Sequence, residues 1–492
     1  MAKDPYDLCI IGGGINGCGI ARDAAGRGLS VLLLEKGDLA QATSSASTKL
    51  IHGGLRYLEH YEFKLVRDSL KEREVLMGMA PHIIWPLTFV LPHQPHLRPS
   101  WLIRMGLFLY DNLGGRKKLH GSRGVNLRKH LFGMPLHAQF EKGFSYADCW
   151  VEDSRLVVLN AMDAHARGAD ILTRTACTDL TVENGLWQVE AGRQTFQARK
   201  IVNAAGPWVR SFLDANKLSD PQTMATRLVK GSHIIVPRLY DGEQCYILQQ
   251  ADGRIVFAIP YEQKFTLIGT TDVEYQGDPD AAKISEEEIL YLCESINQHF
   301  RASITSDDVV STYSGVRPLL DDGGGEAAGV TRDYKLSLEA HDGAEILNIF
   351  GGKLTTYRTL SEKAVNRVAP GTKPWTAGAD LPGGDIPDDD FETFVAAQTA
   401  RYATIPPETV RRLCRAYGTR IAEVLSGGKV GPEIGDGLYE AEVLYLIKKE
   451  WAHTADDILW RRSKLGLHVS GATDAALRGY LNDYHAGRQS HG

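Results

Sequence analysis

The sequence predicts an α/β protein on three observations. A strand, a glycine-rich turn, a helix and a second strand follow one another within the first 35 residues, short apolar segments running into glycines recur at 201–206 and 350–352, and the composition turns helical after residue 385. The chain has 492 residues, and single hydrophobic cores stop growing at roughly 250–300 residues, so two or three domains are expected.

Tyr6–Ile11 reads as a buried strand, Gly12-Gly13-Gly14-Ile15-Asn16-Gly17 as a tight turn, 15–28 as a helix closed by glycine, and 30–35 as a second apolar strand. Gly12 permits the turn, Gly14 lets the backbone approach a pyrophosphate, and Gly17 lets helix and strand pack closely. The helix N-terminus offers unpaired N–H groups and partial positive charge to phosphates. Glu35 closes the unit 21 residues after Gly14, positioned to accept from ribose hydroxyls. A glycine triplet alone marks many loops, but strand, helix, second strand and terminal acid here agree on a Rossmann-type dinucleotide site. An acid at position 35 disfavours a 2′-phosphate, which excludes NADP better than it separates FAD from NAD.

The run at 39–58, rich in small hydroxyl residues, suits a loop lying against a flat cofactor, and 201–208 is a strand ending in small residues. Phe350-Gly-Gly-Lys-Leu-Thr-Thr-Tyr-Arg reads as a strand end and glycine turn opening a helix. With IIGGGINGCGIARDAAGRGLSVLLLE, TSSASTKLIHGGLRYLEHYEF, IVNAAGPWV, KGSHIIVP, IGTTDVEY, TYSGVRPL and FGGKLTTYR in this order, the chain resembles the D-amino-acid-oxidase-like flavoproteins. It resembles the respiratory FAD-dependent glycerol-3-phosphate dehydrogenases more closely, over nearly its whole length.

That resemblance implies FAD held by Gly12, Gly14, Asn16, Gly17, Glu35, Thr43, Ser44, Ser45, His52, Ala205, Gly206, Gly352, Lys353, Leu354 and Thr355. It implies oxidation of sn-glycerol 3-phosphate by hydride transfer from C2 to the flavin, with reoxidation by a membrane quinone. It also implies a discontinuous FAD-binding domain (1–70, 148–225, 310–385), an antiparallel-sheet cap domain (71–147, 226–309) and a homodimer on the cytoplasmic side of a bacterial inner membrane. The calcium-binding module of mitochondrial relatives is not expected, since no D-x-D-x-D-G loop with a closing Glu occurs.

A phosphate dianion calls for several cations, arginine above all. The candidates are Arg56, Arg317, Arg332 and Lys353, and the resemblance sets Tyr57 and His233 beside them. Arg317, between Val316 and Pro318 in an apolar stretch, needs an anionic partner, whereas Arg332 beside Asp333 suits a surface pair equally well. For the base that removes the C2 hydroxyl proton, His233 has an ordinary pKa near neutrality, while the resemblance sets Arg317 close to the reacting carbon; both stay open. Thr270, Thr271 and Asp272 suit either pocket shaping or turn formation. Within the same fold an oxygen-using oxidase or an amino-acid oxidase is the alternative, although an amino acid needs one carboxylate-binding Arg rather than several cations. A flavin-binding protein without turnover is the alternative from another class.

Hydrophobic residues make up 43% of the chain and charged residues 24%, the profile of a folded chain with a large interior. The net charge of −6 does not suggest a nucleic-acid partner. The seven cysteines show neither CxxC nor metal-ligand spacing, so no disulfide framework and no metal site are expected. There is no signal-peptide core, and no apolar run approaches the roughly 18–20 residues that span a bilayer, so the protein is expected inside the cell with only peripheral membrane contact.

Between His93 and Leu131 eight basic residues face a single acid, Asp111. Within this stretch Pro99 and Gly114-Gly115 bracket a helix, Ser100–Leu113, apolar except for a seam carrying Arg104 and Asp111. Such a surface belongs either in a core or dimer interface or, as part of a 97–118 segment, at an anionic membrane surface. Residues 386–492 read as an α-helical domain with helices near 390–402, 407–426, 439–452 and 475–482, in which Asp456-Asp-Ile-Leu-Trp-Arg-Arg suggests helix packing and ion pairs rather than catalysis.

Overall fold

The computed structural model describes residues 4–95, 97–115, 118–219, 226–320 and 333–489. Two large sheets and a mainly helical C-terminal domain make up the architecture, as the sequence predicts, and the C-terminal domain also carries a two-stranded hairpin, Glu433–Gly435 with Leu438–Tyr439. In the first sheet β1 (Tyr6–Ile11) is central, with β2 (Val31–Leu34) parallel on one side and Gln194–Asn203 parallel on the other. Ala344–Gly351 extends it in parallel beyond Gln194–Asn203, and Asp170–Leu172 does so beyond β2. Helix α1 (Ile15–Gly26) packs between Asp153–Ala166 and Tyr357–Val368 and covers one face. Cover on both faces explains why these strands are continuously apolar rather than alternating. Because α1 carries the chain to one side of β1 while its other neighbour comes from 194–203, strand order reverses at β1. A crevice therefore opens beyond Ile11 and Asn203, the position at which such sheets bind ligands.

The second sheet is almost wholly antiparallel; Cys245–Gln249 with Ile84–Pro92 is its parallel pair. Its longest contact joins Thr226–Pro237 to Ser311–Leu320. Leu50–Ile51 and Ser311–Leu320 lie in this sheet although their chain neighbours serve the first, so the 43–49 loop and the start of 350–358 run where the sheets meet.

Helix termini follow local chemistry. α1 ends ahead of Gly28, whose φ of +86° suits glycine, and Ser100–Leu113 has the predicted ends. The expected 407–426 helix divides into Pro407–Tyr417 and Ile421–Val424. Gly418 causes the break: its φ is +53°, and a Cβ there would lie 1.9 Å from the Gly383 carbonyl oxygen. The last helix, Gly471–Gln489, is longer than the sequence suggests.

The Asp456–Arg462 stretch does carry ion pairs, and those of Arg461 and Arg462 reach Asp38 in the nucleotide-binding part. Arg462, fully buried, donates to both oxygens of Asp38 at 2.7 and 2.8 Å, while Arg461 reaches Asp38 at 2.7 Å and also pairs with Asp457. Arg155 pairs with Glu450, whose carbonyl takes two more N–H groups from Arg462. The helical domain is thus fastened to the loop that follows Glu35. Such buried pairs add orientation more than net stability, but removing one partner strands the other. Arg462→Ala is expected to destabilise the fold by roughly 3–5 kcal/mol, read from denaturant unfolding followed by tryptophan fluorescence, and to weaken cofactor retention with it. Unchanged unfolding would show that Arg461 alone suffices to hold Asp38.

Candidate functional site

At the end of β1 the backbone closes on its neighbours. Gly12 has a φ of +113°, and a Cβ there would lie 2.5 Å from the Ala204 carbonyl oxygen; at Gly17 it would lie 1.9 Å from that of Gly12. Gly14 starts α1 without a side-chain cap of its own, and the Ile15 N–H donates to Ser44 Oγ at 3.0 Å. A cleft of about 360 Å³ opens here, lined by Gly12, Gly14, Asn16, Glu35, Thr43, Ser44, Ala205, Gly206 and Gly352 among others. Glu35 accepts from the N–H groups of Gly13 (2.6 Å) and Gly37 (2.7 Å). Burial raises its carboxyl above the usual range, against the pull of those two bonds. Asn16 donates to the Gly351 carbonyl at 3.2 Å, while its own Oδ1 is buried without a partner. A helix N-terminus with glycine at its N-cap, a carboxylate at the end of β2, an orphan amide oxygen and a glycine cradle together suit a dinucleotide.

A smaller cleft of about 220 Å³ is continuous with the first, since Ile15, Thr43, Ser44 and Gly352 line both. It brings together Thr48, His52, Tyr57, His233, Thr270, Arg317, Lys353, Leu354 and Thr355. Arg56 does not line it, Arg332 lies outside the described residues, and Gly17 and Ser45 line neither cleft. Gly17 serves helix–strand packing, and the Ser45 carbonyl accepts from Lys49 Nζ at 3.0 Å.

Strand alternation aims the reactive side chains. Along Thr226–Pro237, Gly231 and His233 share one face while Lys230 and Ser232 point to the other; opposite them, register sets Tyr313 beside His233 and Arg317 beside Val229. Two glycines leave the necessary space. A Cβ at Gly231 would lie 2.4 Å from Arg317 Nη2, and one at Gly269 would lie 2.1 Å from His233 Cδ2. Arg317 has the anion its surroundings call for: Nη2 donates to Asp272 Oδ1 at 2.7 Å and to the Thr271 carbonyl at 3.1 Å. Lys353 Nζ sits 3.8 Å above the Tyr57 ring.

His233 departs from the simple expectation of a near-neutral pKa. It is buried, stacked on Tyr313 with ring centroids 4.6 Å apart, and its Nε2 lies 3.0 Å from Thr48 Oγ1 while Nδ1 is buried without a partner. Burial first, then the charges of Lys49 and Arg317, hold the imidazole well below its usual pKa, so the ring is neutral.

Sequence reasoning missed Lys49. Its ammonium is buried between both oxygens of Asp153, at 2.8 and 2.9 Å, and the Ser45 carbonyl. Ser47 Oγ donates to the same carboxylate at 2.7 Å, Tyr313 Oη donates to the Ser47 carbonyl at 2.8 Å, and Thr43 Oγ1 donates to the Val316 carbonyl at 2.6 Å. The one sequence signal was a lysine amid small hydroxyl and apolar residues; its partner lies 104 positions away.

Comparison with known proteins accords with this geometry. Residues 7–358 match the family described as FAD dependent oxidoreductase, and residues 375–481 match the C-terminal domain of alpha-glycerophosphate oxidase. The chain is 53% identical to a glycerol-3-phosphate dehydrogenase of Pseudomonas aeruginosa over 98% of this chain and 96% of that one. It is 51% identical to a D-erythritol 1-phosphate dehydrogenase of Brucella abortus, covering 96% of each. The solved glycerol-3-phosphate dehydrogenase of Bacillus halodurans, complexed with FAD, superposes with a TM-score of 0.75 at 29% identity, covering 94% of this chain and 87% of that one. The cofactor is therefore FAD, and the larger cleft has the groups to hold it. Full-length identity above one half, together with both matching domains, means that the chain belongs to the FAD-dependent glycerol-3-phosphate dehydrogenase family.

Proposed function

We propose that the protein oxidises sn-glycerol 3-phosphate to dihydroxyacetone phosphate and passes the electrons through FAD to a membrane quinone. The observation that carries this reading is the meeting of Arg317, Lys353 and His233 in a small cleft continuous with the dinucleotide cleft. Lys353 offers the phosphate a compact charge, and Arg317, its guanidinium steadied by Asp272, offers further N–H donors in fixed directions. His233, kept neutral, accepts the C2 hydroxyl proton, and Arg317 stabilises the negative charge that builds on that oxygen. When bound, the flavin supplies the acceptor for the hydrogen leaving C2. A four-carbon polyol phosphate is the second reading, favoured by the Brucella relative.

Anaerobic addition of glycerol 3-phosphate to the flavin-loaded protein is expected to bleach the flavin, and glycerol and D-alanine are expected to leave it oxidised. Faster bleaching by D-erythritol 1-phosphate would move the assignment to that substrate, and no bleaching by either phosphate would sink the proposal.

Since burial, Lys49 and Arg317 all oppose protonation of His233, its free-base form persists below the ordinary histidine value of about 6.5. kcat, which reports the bound complex rather than the free phosphate, is thus expected to stay level across about pH 6–8, and His233→Asn to lose on the order of 10²- to 10⁴-fold in it. Full activity in His233→Asn would assign the base elsewhere.

The route to a quinone starts from the Ser100–Leu113 helix. Leu107 and Tyr110 are buried, with the Tyr110 hydroxyl on Asp148, whereas Trp101, Met105 and Phe108 are 67%, 49% and 60% exposed. Arg104 and Asp111 both bond Ser122, so the polar seam is satisfied inside the protein and the apolar stripe faces outward. No described helix is long and apolar enough to cross a membrane, which suits a helix lying in the interface. Changing Trp101, Met105 and Phe108 together to Ser is expected to abolish co-sedimentation with anionic vesicles while leaving anaerobic bleaching intact. Undiminished vesicle binding would locate the membrane contact elsewhere.

A further inference from the structure

Behind the smaller cleft, on the face of the second sheet turned away from it, one carboxylate joins several strands. Glu288 lies in the first turn of helix Glu286–Asn297, in a capping box with Ser285: its N–H donates to Ser285 Oγ at 3.2 Å, and the Ser285 N–H donates to its Oε2 at 2.8 Å. A capping box is complete with the carboxylate left in water. Here the residue is buried, and its carboxylate takes three more donors: Ser232 Oγ at 2.9 Å, Thr271 Oγ1 at 2.7 Å and Lys230 Nζ at 2.8 Å. Burial pushes the acid up, but the bonds from Lys230, Ser285, Thr271 and Ser232 outweigh it and hold the carboxyl below its usual range.

Each donor is one step from the substrate side. Lys230 and Ser232 alternate with Gly231 and His233 along one strand, and Ser232 Oγ lies 2.9 Å from Ser314 Oγ on the strand that carries Arg317. The Ser232 N–H donates to Thr271 Oγ1 at 2.9 Å, and the Thr271 carbonyl is itself an acceptor for Arg317 Nη2. Asp272, the other acceptor for that nitrogen, follows directly in the chain. Glu288 itself lines neither cleft.

We propose that Glu288 is a positioning residue of the substrate site: through Thr271 and Ser232 it sets the direction in which Arg317 is presented to the cleft. This rests on the assignment of Arg317 to the substrate. A carboxylate serving only the fold would be needed equally whether or not Arg317 is present, whereas one acting through Arg317 loses its effect when Arg317 is altered.

The test measures anaerobic reduction of the flavin-loaded protein by glycerol 3-phosphate, with the apparent dissociation constant and the limiting rate resolved separately. The variants are Glu288→Gln, Glu288→Asp, Thr271→Val, Arg317→Lys, and Arg317→Lys combined with each of the first and third. Thr271→Val removes both the bond to Glu288 and the acceptor of the Ser232 N–H while leaving the carboxylate itself in place, so it carries the test even if Glu288→Gln fails to fold. Glu288→Gln and Thr271→Val are expected to keep the flavin spectrum and to lose on the order of 10-fold in reduction efficiency, the loss being the scale of one hydrogen bond. Glu288→Asp should recover part of the loss, and each double variant should be no worse than Arg317→Lys alone. Losses that multiply in the double variants, or a Thr271→Val protein equal to the parent, overturn the proposal while leaving the substrate assignment standing. Parental efficiency in Arg317→Lys overturns the substrate assignment of Arg317 and this inference with it.

Discussion

The site depends first on the buried pair between Lys49 and Asp153. Both side chains are essentially excluded from solvent, and an unpaired charge at either position would be costly enough to unravel its surroundings. The 43–49 loop wraps around the pair, with the Ser45 carbonyl on the ammonium and the Ser47 hydroxyl on the carboxylate. Asp153 opens the helix that packs against α1, and Leu50–Ile51, directly after Lys49, joins the second sheet. One ion pair therefore fixes the loop that lines both clefts to the helix layer of the first sheet and the edge of the second. Although burial raises the Asp153 carboxyl, Lys49 and Lys464 hold it below the usual range, so it stays ionised at neutral pH.

The same cation acts on the chemistry. Burial first, then Lys49 and Arg317, disfavour charge on His233, so this cleft histidine is held in its neutral form. A neutral imidazole gives up some strength as a base, but it is always in the protonation state a base requires. Arg317 is also restrained before substrate arrives, because Asp272 and the Thr271 carbonyl share Nη2. Orientation set in advance is worth more to a reaction than a free cation that must be ordered at each turnover. Gly231 and Gly269 complete this arrangement by omission, since any side chain there would occupy the space of Arg317 or His233.

Distance along the chain separates what was readable from what was not. The β1–α1–β2 unit was legible because its periodicity, its turn glycines and Glu35 all act within 35 residues. The Ser100–Leu113 helix was legible down to its ends because proline and glycine bracket it. The break at Gly418 was not, because glycine in a helical pattern is tolerated unless something forbids continuation, and here that is contact with Gly383. Likewise Arg317 could be seen to need an anion, and 456–462 to carry ion pairs, but the partners Asp272 and Asp38 follow from strand register and domain docking.

The sequence by itself determined the dinucleotide fold, the preference for a ligand without a 2′-phosphate, the family and the set of candidate cations, since each is written in local spacing or in blocks of consecutive residues. Only the tertiary structure decided which candidates meet. Arg317, Lys353, Tyr57 and His233 share a cleft, whereas Arg56, next to Tyr57 in the chain, does not line it. It also decided that His233 is neutral and that Lys49, Asp153 and Glu288 brace the site. The reason is physical: a side chain's pKa, its partners and its direction are set by what the fold packs against it, and those neighbours come from strands and helices far apart in the chain.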